Sequence, residues 1–160
     1  MHKTLKPMEE ATYLAYKAGS QGEIPIGAVI VRNGKIISKA YNKREKSQIA
    51  THHAEILAIQ KACKKLKSWR LEDCEMYVTL EPCIMCAGAI IQARIKKVVY
   101  AATEPKFGAA ESVLNIFNHL EYKFNHEVEV VSGILKEEST ELIKSFFKEL
   151  RKKKNISRYY

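Results

Sequence analysis

The sequence predicts an α/β fold in which helices cover both faces of one mixed, five-stranded β-sheet. Apolar residues make up 46% of the 160 residues, so the chain can bury one sizeable hydrophobic core. A strong hairpin signal is followed by helix and strand patterns that alternate, which is typical of layered α/β domains. No repeat, low-complexity segment or Ser/Gly/Pro-rich linker interrupts the chain. We therefore expect residues 1–160 to form a single domain.

The first part of the chain predicts a helix followed by a β-hairpin. Residues 7–18 are predicted to be helical, because a proline lies near the start of this segment and a glycine just past its end. Residues 24–31 form a nearly continuous apolar run, as in a strand that is covered on both faces. Asn33-Gly34 is a strong hairpin turn signal, so residues 35–40 are expected to return as a second strand.

After the hairpin, helices and strands alternate. Thr51 is suited to cap a helix that runs to about Leu66, because apolar residues recur along that segment at helical spacing. The remaining predicted elements are strands at 75–80, 97–101 and 127–131, a helix at 82–93, and a long basic helix at about 135–154. Binding sites in such sheets form where strands end and helices begin, and two of these junctions carry reactive residues.

The first reactive pattern predicts a metal site. His53 opens one predicted helix, while Cys83 and Cys86 lie in the first turn of the next. Two cysteines three residues apart share one helix face, and a helix N-terminus favours the thiolate form. Two thiolates and one imidazole give zinc three ligands and leave a fourth position for water, whose pKa zinc lowers to about 7. We therefore expect one Zn²⁺ per chain, bound by His53, Cys83 and Cys86.

Glu55, two residues after the histidine, suits proton transfer beside such a metal. Hydrolytic deamination moves a proton from the attacking water to the leaving amine, and one carboxylate can carry out both transfers. We therefore assign Glu55 as the catalytic residue.

Neither the His-x-Glu motif nor the Cys-x-x-Cys pair identifies a catalytic zinc site alone. A Cys-x-x-Cys pair also occurs in redox proteins and in structural zinc sites, and a single His-x-Glu is common by chance. His52 lacks a glutamate two residues on and is interpreted as a flanking residue. Cys63 and Cys74 are interpreted as small core or structural residues. A fourth protein ligand from either cysteine would close the site. A thiol-redox protein and a non-catalytic RNA-binding module with structural zinc therefore remain alternatives.

Charge favours a polyanionic partner. The formal net charge is +9, and the C-terminal helix combines Lys148 and a basic run at 151–154 with Phe146 and Phe147. Basic groups interleaved with aromatics suit single-stranded RNA, although a solvated basic tail and partly buried phenylalanines are the alternative interpretation. The N-terminus has no signal-peptide pattern and no apolar run is long enough to span a bilayer, so we expect a cytoplasmic protein with reduced thiols.

A His-x-Glu motif followed by Pro-Cys-x-x-Cys is the signature of zinc nucleobase deaminases. The run at 77–89, YVTLEPCIMCAGA, resembles the bacterial tRNA-specific adenosine deaminases (the TadA family) of the cytidine/deoxycytidylate deaminase superfamily. The resemblance extends over nearly the whole chain. It includes residues 24–29, Tyr41-Asn42, a Gly-Ala-Ala loop at 108–110 and a Phe-Phe-x-x-x-Arg pattern at 146–151.

The resemblance implies a three-layer α/β/α cytidine-deaminase-like fold, a homodimer, and hydrolysis of adenosine to inosine at the wobble position of a tRNA anticodon. His53, Cys83 and Cys86 correspond to the zinc ligands and Glu55 to the proton shuttle. The implied substrate-binding residues are Asn42, which contacts the base, Ala54, whose amide lies near the metal, and Glu104, Phe147 and Arg151.

Two positions depart from the family pattern. Glu104 stands where the family has aspartate, in a loop that contacts the RNA backbone. Phe107 stands where a smaller or more polar residue is expected, and either stacking on a base or packing against a second subunit would explain it. The alternative function is deamination of a free nucleobase or nucleotide of the guanine or cytosine type, against which the basic charge argues.

Overall fold

The structure is a computed structural model that describes residues 2–119 and 121–154. Its helices and strands follow the predicted alternation, with one short additional helix before the histidine motif. In chain order the elements are α1 His2–Ser20, β1 Gly27–Arg32, β2 Lys35–Tyr41, α2 Arg44–Ser47, α3 Ala54–Leu66, β3 Cys74–Leu80, α4 Ile84–Gln92, β4 Lys97–Ala102, β5 Glu129–Ser132 and α5 Lys136–Lys154.

The five strands form one mixed sheet in the order β2-β1-β3-β4-β5, which confirms the predicted fold class. β1 pairs antiparallel with both β2 and β3, whereas β3, β4 and β5 run parallel. The hairpin turn is also confirmed, because Asn33 and Gly34 both have the positive φ angles of a type I′ turn, 50° and 75°. Because β1 is antiparallel to β3 and β4 is parallel to it, the carboxyl ends of β3 and β4 lie beside the start of β1, at one edge of the sheet.

Alternating side chains of the strands form two hydrophobic clusters, one on each face of the sheet. Met76 and Val78 of β3 pack with the alanines of α3 and with Ile90 of α4. Tyr77, between them in sequence, packs on the opposite face with Met8 and other residues of α1. Ile90 and Ile91 of α4 are both buried core residues.

Several element ends differ from the predictions for local reasons. Helix α1 begins five residues before Pro7, which lies inside it, so the missing amide of this proline costs the helix one hydrogen bond but does not set its start. Thr51 is exposed and does not cap α3, because His53 takes the N-cap position with extended backbone. α4 begins at Ile84 rather than at residue 82, and β5 begins at Glu129, where its pairing with Lys97 of β4 starts.

Among the described residues, no helix is long and apolar enough to cross a membrane.

Candidate active site

The candidate site lies at the sheet edge where β3 ends and helices α3 and α4 begin. β3 ends at Leu80, and three residues later Cys83 occupies the N-cap position of α4. Across the edge, His53 occupies the N-cap position of α3, and both caps have extended backbone without a side-chain capping bond. The two N-cap side chains are therefore free to face each other instead of capping their own helices.

His53, Cys83 and Cys86 converge as the sequence predicted. Their ligand atoms all lie within 4.8 Å of one another. The Nδ1 atom of His53 is 3.7 Å from the Cys83 Sγ and 3.6 Å from the Cys86 Sγ. In a tetrahedral zinc site with Zn–N of about 2.0–2.1 Å and Zn–S of about 2.3 Å, a nitrogen and a sulfur ligand lie about 3.6 Å apart. The spacing of the donor atoms thus fits zinc.

The electrostatics of the cluster favour a charged sulfur beside the imidazole. Hydrogen bonds from Cys86 and then His53 lower the pKa of the Cys83 thiol to about 4. The hydrogen bond to Cys83 raises the pKa of His53. The pKa of Cys86 is raised by its hydrogen bond to Cys83 and by its burial. A bound metal ion would favour both thiolates.

Glu55 lies in the first turn of α3 with its side chain directed at the cluster. The residue is only 4% exposed, and burial raises the pKa of its carboxyl group to about 6. Its Oε1 is the only buried side-chain oxygen or nitrogen among the described residues without a hydrogen-bond partner. A buried carboxylate oxygen without a partner is costly, and such groups in native proteins call for a functional explanation.

Other potential ligands stay outside the cluster. Within residues 2–119 and 121–154, this trio is the only group of three His, Cys, Asp or Glu residues placed to hold a metal ion. Cys74 is fully buried in the core, and Cys63 packs against that core at the far end of α3. His52 contributes backbone hydrogen bonds to the loop before α3. The interpretation of these three residues as non-ligands agrees with this placement.

Asn42 follows β2 at the same edge of the sheet and is buried. Its Oδ1 accepts a hydrogen bond from the Arg44 backbone amide at 3.1 Å, and its Nδ2 donates to the Ile24 carbonyl at 3.3 Å. A carboxamide has two donors and two acceptor positions, so one of each remains for a base. Its assignment to base contact stays a prediction.

Two buried glutamates, to which the sequence assigned no role, order the loops around the site. Glu23 accepts the backbone amides of Glu45 and Lys46 at 2.9 and 2.7 Å, and so caps α2 from a distance. Glu81 accepts several amides of the loop after β4. The only sequence signal for Glu81 was its place directly before Pro82-Cys83.

The remaining predicted substrate residues lie around the cluster or farther out. The amide of Ala54 belongs to the first turn of α3, where helix amides have no partner within the helix. The side chain of Glu104 accepts the Lys106 amide at 2.9 Å in the loop after β4, and Phe107 in that loop is 71% exposed. These contacts with RNA stay predictions.

Phe147 and Arg151 lie on α5, away from the metal cluster. The hydroxyl of Ser139 ties the first turns of α5 to the carbonyl of Thr79 near the end of β3. Along the helix axis, Phe147 lies about 12 Å and Arg151 about 18 Å beyond Ser139. Phe146 and Phe147 are half-buried and contact each other edge-to-face at 5.5 Å between ring centroids, so both are partly packed.

Residues 3–151 match the family model of the MafB19-like deaminases. The chain is 52% identical over 151 residues to the tRNA-specific adenosine deaminase of Bacillus subtilis (strain 168), which covers 94% of this chain and 92% of that protein.

Two solved structures are also similar to this chain. One, from a study of A-to-I editing by tRNA:A34 deaminases at the wobble position of transfer RNA, has a TM-score of 0.81 and 42% identity, over 86% of this chain and 98% of that chain. The X-ray structure of guanine deaminase from Bacillus subtilis has a TM-score of 0.60 and 35% identity, over 97% of this chain and 98% of that chain. These relatives share a deaminase fold and differ in their substrates.

Proposed function

We propose that this chain, which belongs to the MafB19-like deaminases and to the family of tRNA-specific adenosine deaminases, hydrolyses adenosine to inosine at the wobble position of a tRNA anticodon. The observation that carries this proposal is the unpartnered, buried Oε1 of Glu55 beside the convergent side chains of His53, Cys83 and Cys86. An amine hydrolase needs this combination of a metal cluster and a proton carrier.

Zinc is the metal that this donor set suits best. One imidazole and two thiolates are typical zinc ligands, and the nitrogen–sulfur spacings of 3.6 and 3.7 Å fit a tetrahedral site. When bound, zinc supplies a water nucleophile near neutral pH, because it lowers the pKa of water to about 7. His53, Cys83 and Cys86 would hold the ion, and three protein ligands leave one position for water.

Glu55 moves the protons of the reaction. Its carboxylate accepts one proton from the water that attacks C6 of the adenine and donates a proton to the exocyclic nitrogen. The C6–N bond then breaks, ammonia leaves, and C6 keeps the oxygen of the water. Burial supports both transfers, because a carboxyl pKa raised to about 6 lies closer to the working pH than that of an exposed glutamate.

The adenine is presented by the anticodon arm of tRNA. Bases in that loop are already splayed, which reduces the cost of unstacking the target base. The free donor and acceptor of Asn42 are suited to the edge of a purine, and the amide of Ala54 lies beside the reacting centre. Glu104, Phe147 and Arg151 contact the RNA farther out, and the net charge of +9 attracts it. With tRNA as substrate, the proposal includes a cytoplasmic location.

The active form is a homodimer. Ile84, Val113 and Leu114 are exposed in the single chain, with Ile84 59% exposed. Their backbones lie close together, because the amides of Val113 and Leu114 donate to the Gly108 carbonyl and Gly108 pairs with Cys83, the neighbour of Ile84. An exposed apolar patch of this kind is typical of a subunit interface.

The test is a deamination assay on the zinc-loaded protein with an anticodon stem-loop that carries adenine at the wobble position. The product is digested to nucleosides and analysed by mass spectrometry. The matched control hairpin has guanine at that position. Inosine from the first hairpin alone supports the proposal. No inosine from protein with one zinc per chain would favour a free-base deaminase, since a guanine deaminase is 35% identical to this chain.

A further inference from the structure

Glu81 is a buried carboxylate that the proposed mechanism does not use. It is 2% exposed and lies between the end of β3 and the Pro82-Cys83 turn. Its own backbone amide donates to the Ala102 carbonyl at 2.8 Å, which continues the pairing of β3 with β4. A charged group in this position needs strong hydrogen bonds to offset its burial.

Those hydrogen bonds all come from one loop, which begins after β4. The Oε1 atom of Glu81 accepts the amide of Glu104 at 2.9 Å and the hydroxyl of Ser112. The Oε2 atom accepts three further amides, from Ala110 at 3.0 Å, Glu111 at 2.9 Å and Ser112 at 3.0 Å. We call residues 104–112 the rim loop. Both of its ends are thus held by one carboxylate.

The rim loop is also joined to the metal-binding turn. The amide of Ala109 donates to the Pro82 carbonyl at 2.8 Å, and Gly108 forms an antiparallel bridge with Cys83. A Cβ atom at Gly108 would overlap the Glu81 carboxylate, so the backbone passes directly over it. The carboxylate, the metal-binding turn and the loop that bears the exposed Phe107 therefore form one packed unit.

We infer that Glu81 is a positioning residue for substrate RNA, which holds the rim loop against the Cys83 turn so that Glu104 and Phe107 are kept in place to contact the RNA. The inference rests on the proposed function for the identity of the substrate. The hydrogen bonds of the Glu81 carboxylate described above go to the rim loop, so Glu81 acts on the substrate through this loop.

Glu81→Gln separates this role from simple space filling. An ionised carboxylate only accepts hydrogen bonds, whereas a carboxamide would turn one NH₂ group toward backbone amides that also donate. One end of the rim loop would then lose its acceptor, at a cost that corresponds to roughly a tenfold change in an equilibrium constant. Glu81→Asp keeps the carboxylate and shortens the side chain, so it should be the milder change.

The experiment compares hairpin affinity, steady-state KM and hydrogen exchange of the rim loop in zinc-loaded wild type, Glu81→Gln and Glu81→Asp. Glu75→Gln, at the other end of β3, is the matched control. We expect Glu81→Gln to weaken hairpin binding and raise KM about tenfold, with faster exchange at Ala110–Ser112 and one zinc per chain retained. Glu81→Asp should recover part of the affinity, and Glu75→Gln should behave as wild type.

Wild-type affinity and unchanged exchange at residues 110–112 in Glu81→Gln would overturn the inference, as would faster exchange without any loss of affinity. Exchange and binding need no turnover, so a wild type that binds the hairpin but forms no inosine refutes the proposed function alone. If Glu81→Gln does not fold, Ser112→Ala removes one donor, and affinity about threefold below wild type is then expected.

Discussion

Replacing Glu55 with glutamine tests proton transfer separately from metal binding and packing. Glutamine has nearly the same shape, and the Oε1 atom of Glu55 makes no hydrogen bond with the described residues that the change would break there. The neighbouring ligands His53, Cys83 and Cys86 are untouched. We therefore expect zinc content, melting temperature and hairpin affinity to stay close to wild type.

Turnover should fall steeply in this variant. General acid–base catalysis contributes about 10²- to 10⁴-fold to a rate, which corresponds to about 3–5 kcal/mol of activation free energy. Because Glu55 is proposed to carry both proton transfers, we expect a loss of kcat toward the upper part of this range, with little change in KM. Glu55→Ala should lose turnover as well.

Single-turnover measurements on the zinc-loaded protein give this rate directly, with inosine as the readout and zinc measured in the same sample. Glu45→Gln is the matched control, since Glu45 lies in the first turn of α2 near the site but is exposed. A Glu55→Gln rate within about tenfold of wild type would refute the proton-shuttle role, because one order of magnitude falls below the range expected of such a group.

Helix α5, the exposed Ile84 and Gly108 of the rim loop each offer one further test. Truncation after Leu150 removes Arg151 and the basic residues beyond it, so hairpin affinity and its salt dependence should both fall while zinc content is unchanged; equal affinity would exclude this helix end from the RNA site. Ile84→Asp should convert a dimer into a monomer in light scattering, and an unchanged mass would place the interface elsewhere. Gly108→Ala should lower stability by about 2 kcal/mol through overlap with Glu81, which corresponds to roughly 6 °C in melting temperature. Gly88→Ala is the control, since no atom lies within 4 Å of its added Cβ and alanine favours α4.

Much of the fold follows from local sequence. β1 is buried on both faces and was predicted from its nearly continuous apolar run, and Asn33-Gly34 fixes the hairpin between β1 and β2. The starts of α3 and α4 were harder to predict from the sequence, because the geometry of the metal cluster determines where these helices begin. Residue 53 stays extended so that its imidazole faces the two cysteines, and the helix therefore begins after it instead of at a Thr51 cap.

The metal cluster could be predicted from the sequence because its ligands lie in two short motifs. The roles of Glu23 and Glu81 could not be predicted, because their hydrogen-bond partners are distant in sequence. Glu23 caps α2 across 22 and 23 residues, and Glu81 holds amides 23 to 31 residues away. Spacing within a motif cannot reveal such a contact. The four-residue helix α2 was missed for the same reason, since its capping group comes from another part of the chain.

The most direct test offers the zinc-loaded protein a wobble-adenine hairpin and free guanine in parallel, and measures inosine and xanthine by mass spectrometry. We expect inosine at a rate that depends on Glu55, and no xanthine above the level of the Glu55→Gln variant. Xanthine without inosine would contradict the proposed function and would show a free-base deaminase built on the same cluster.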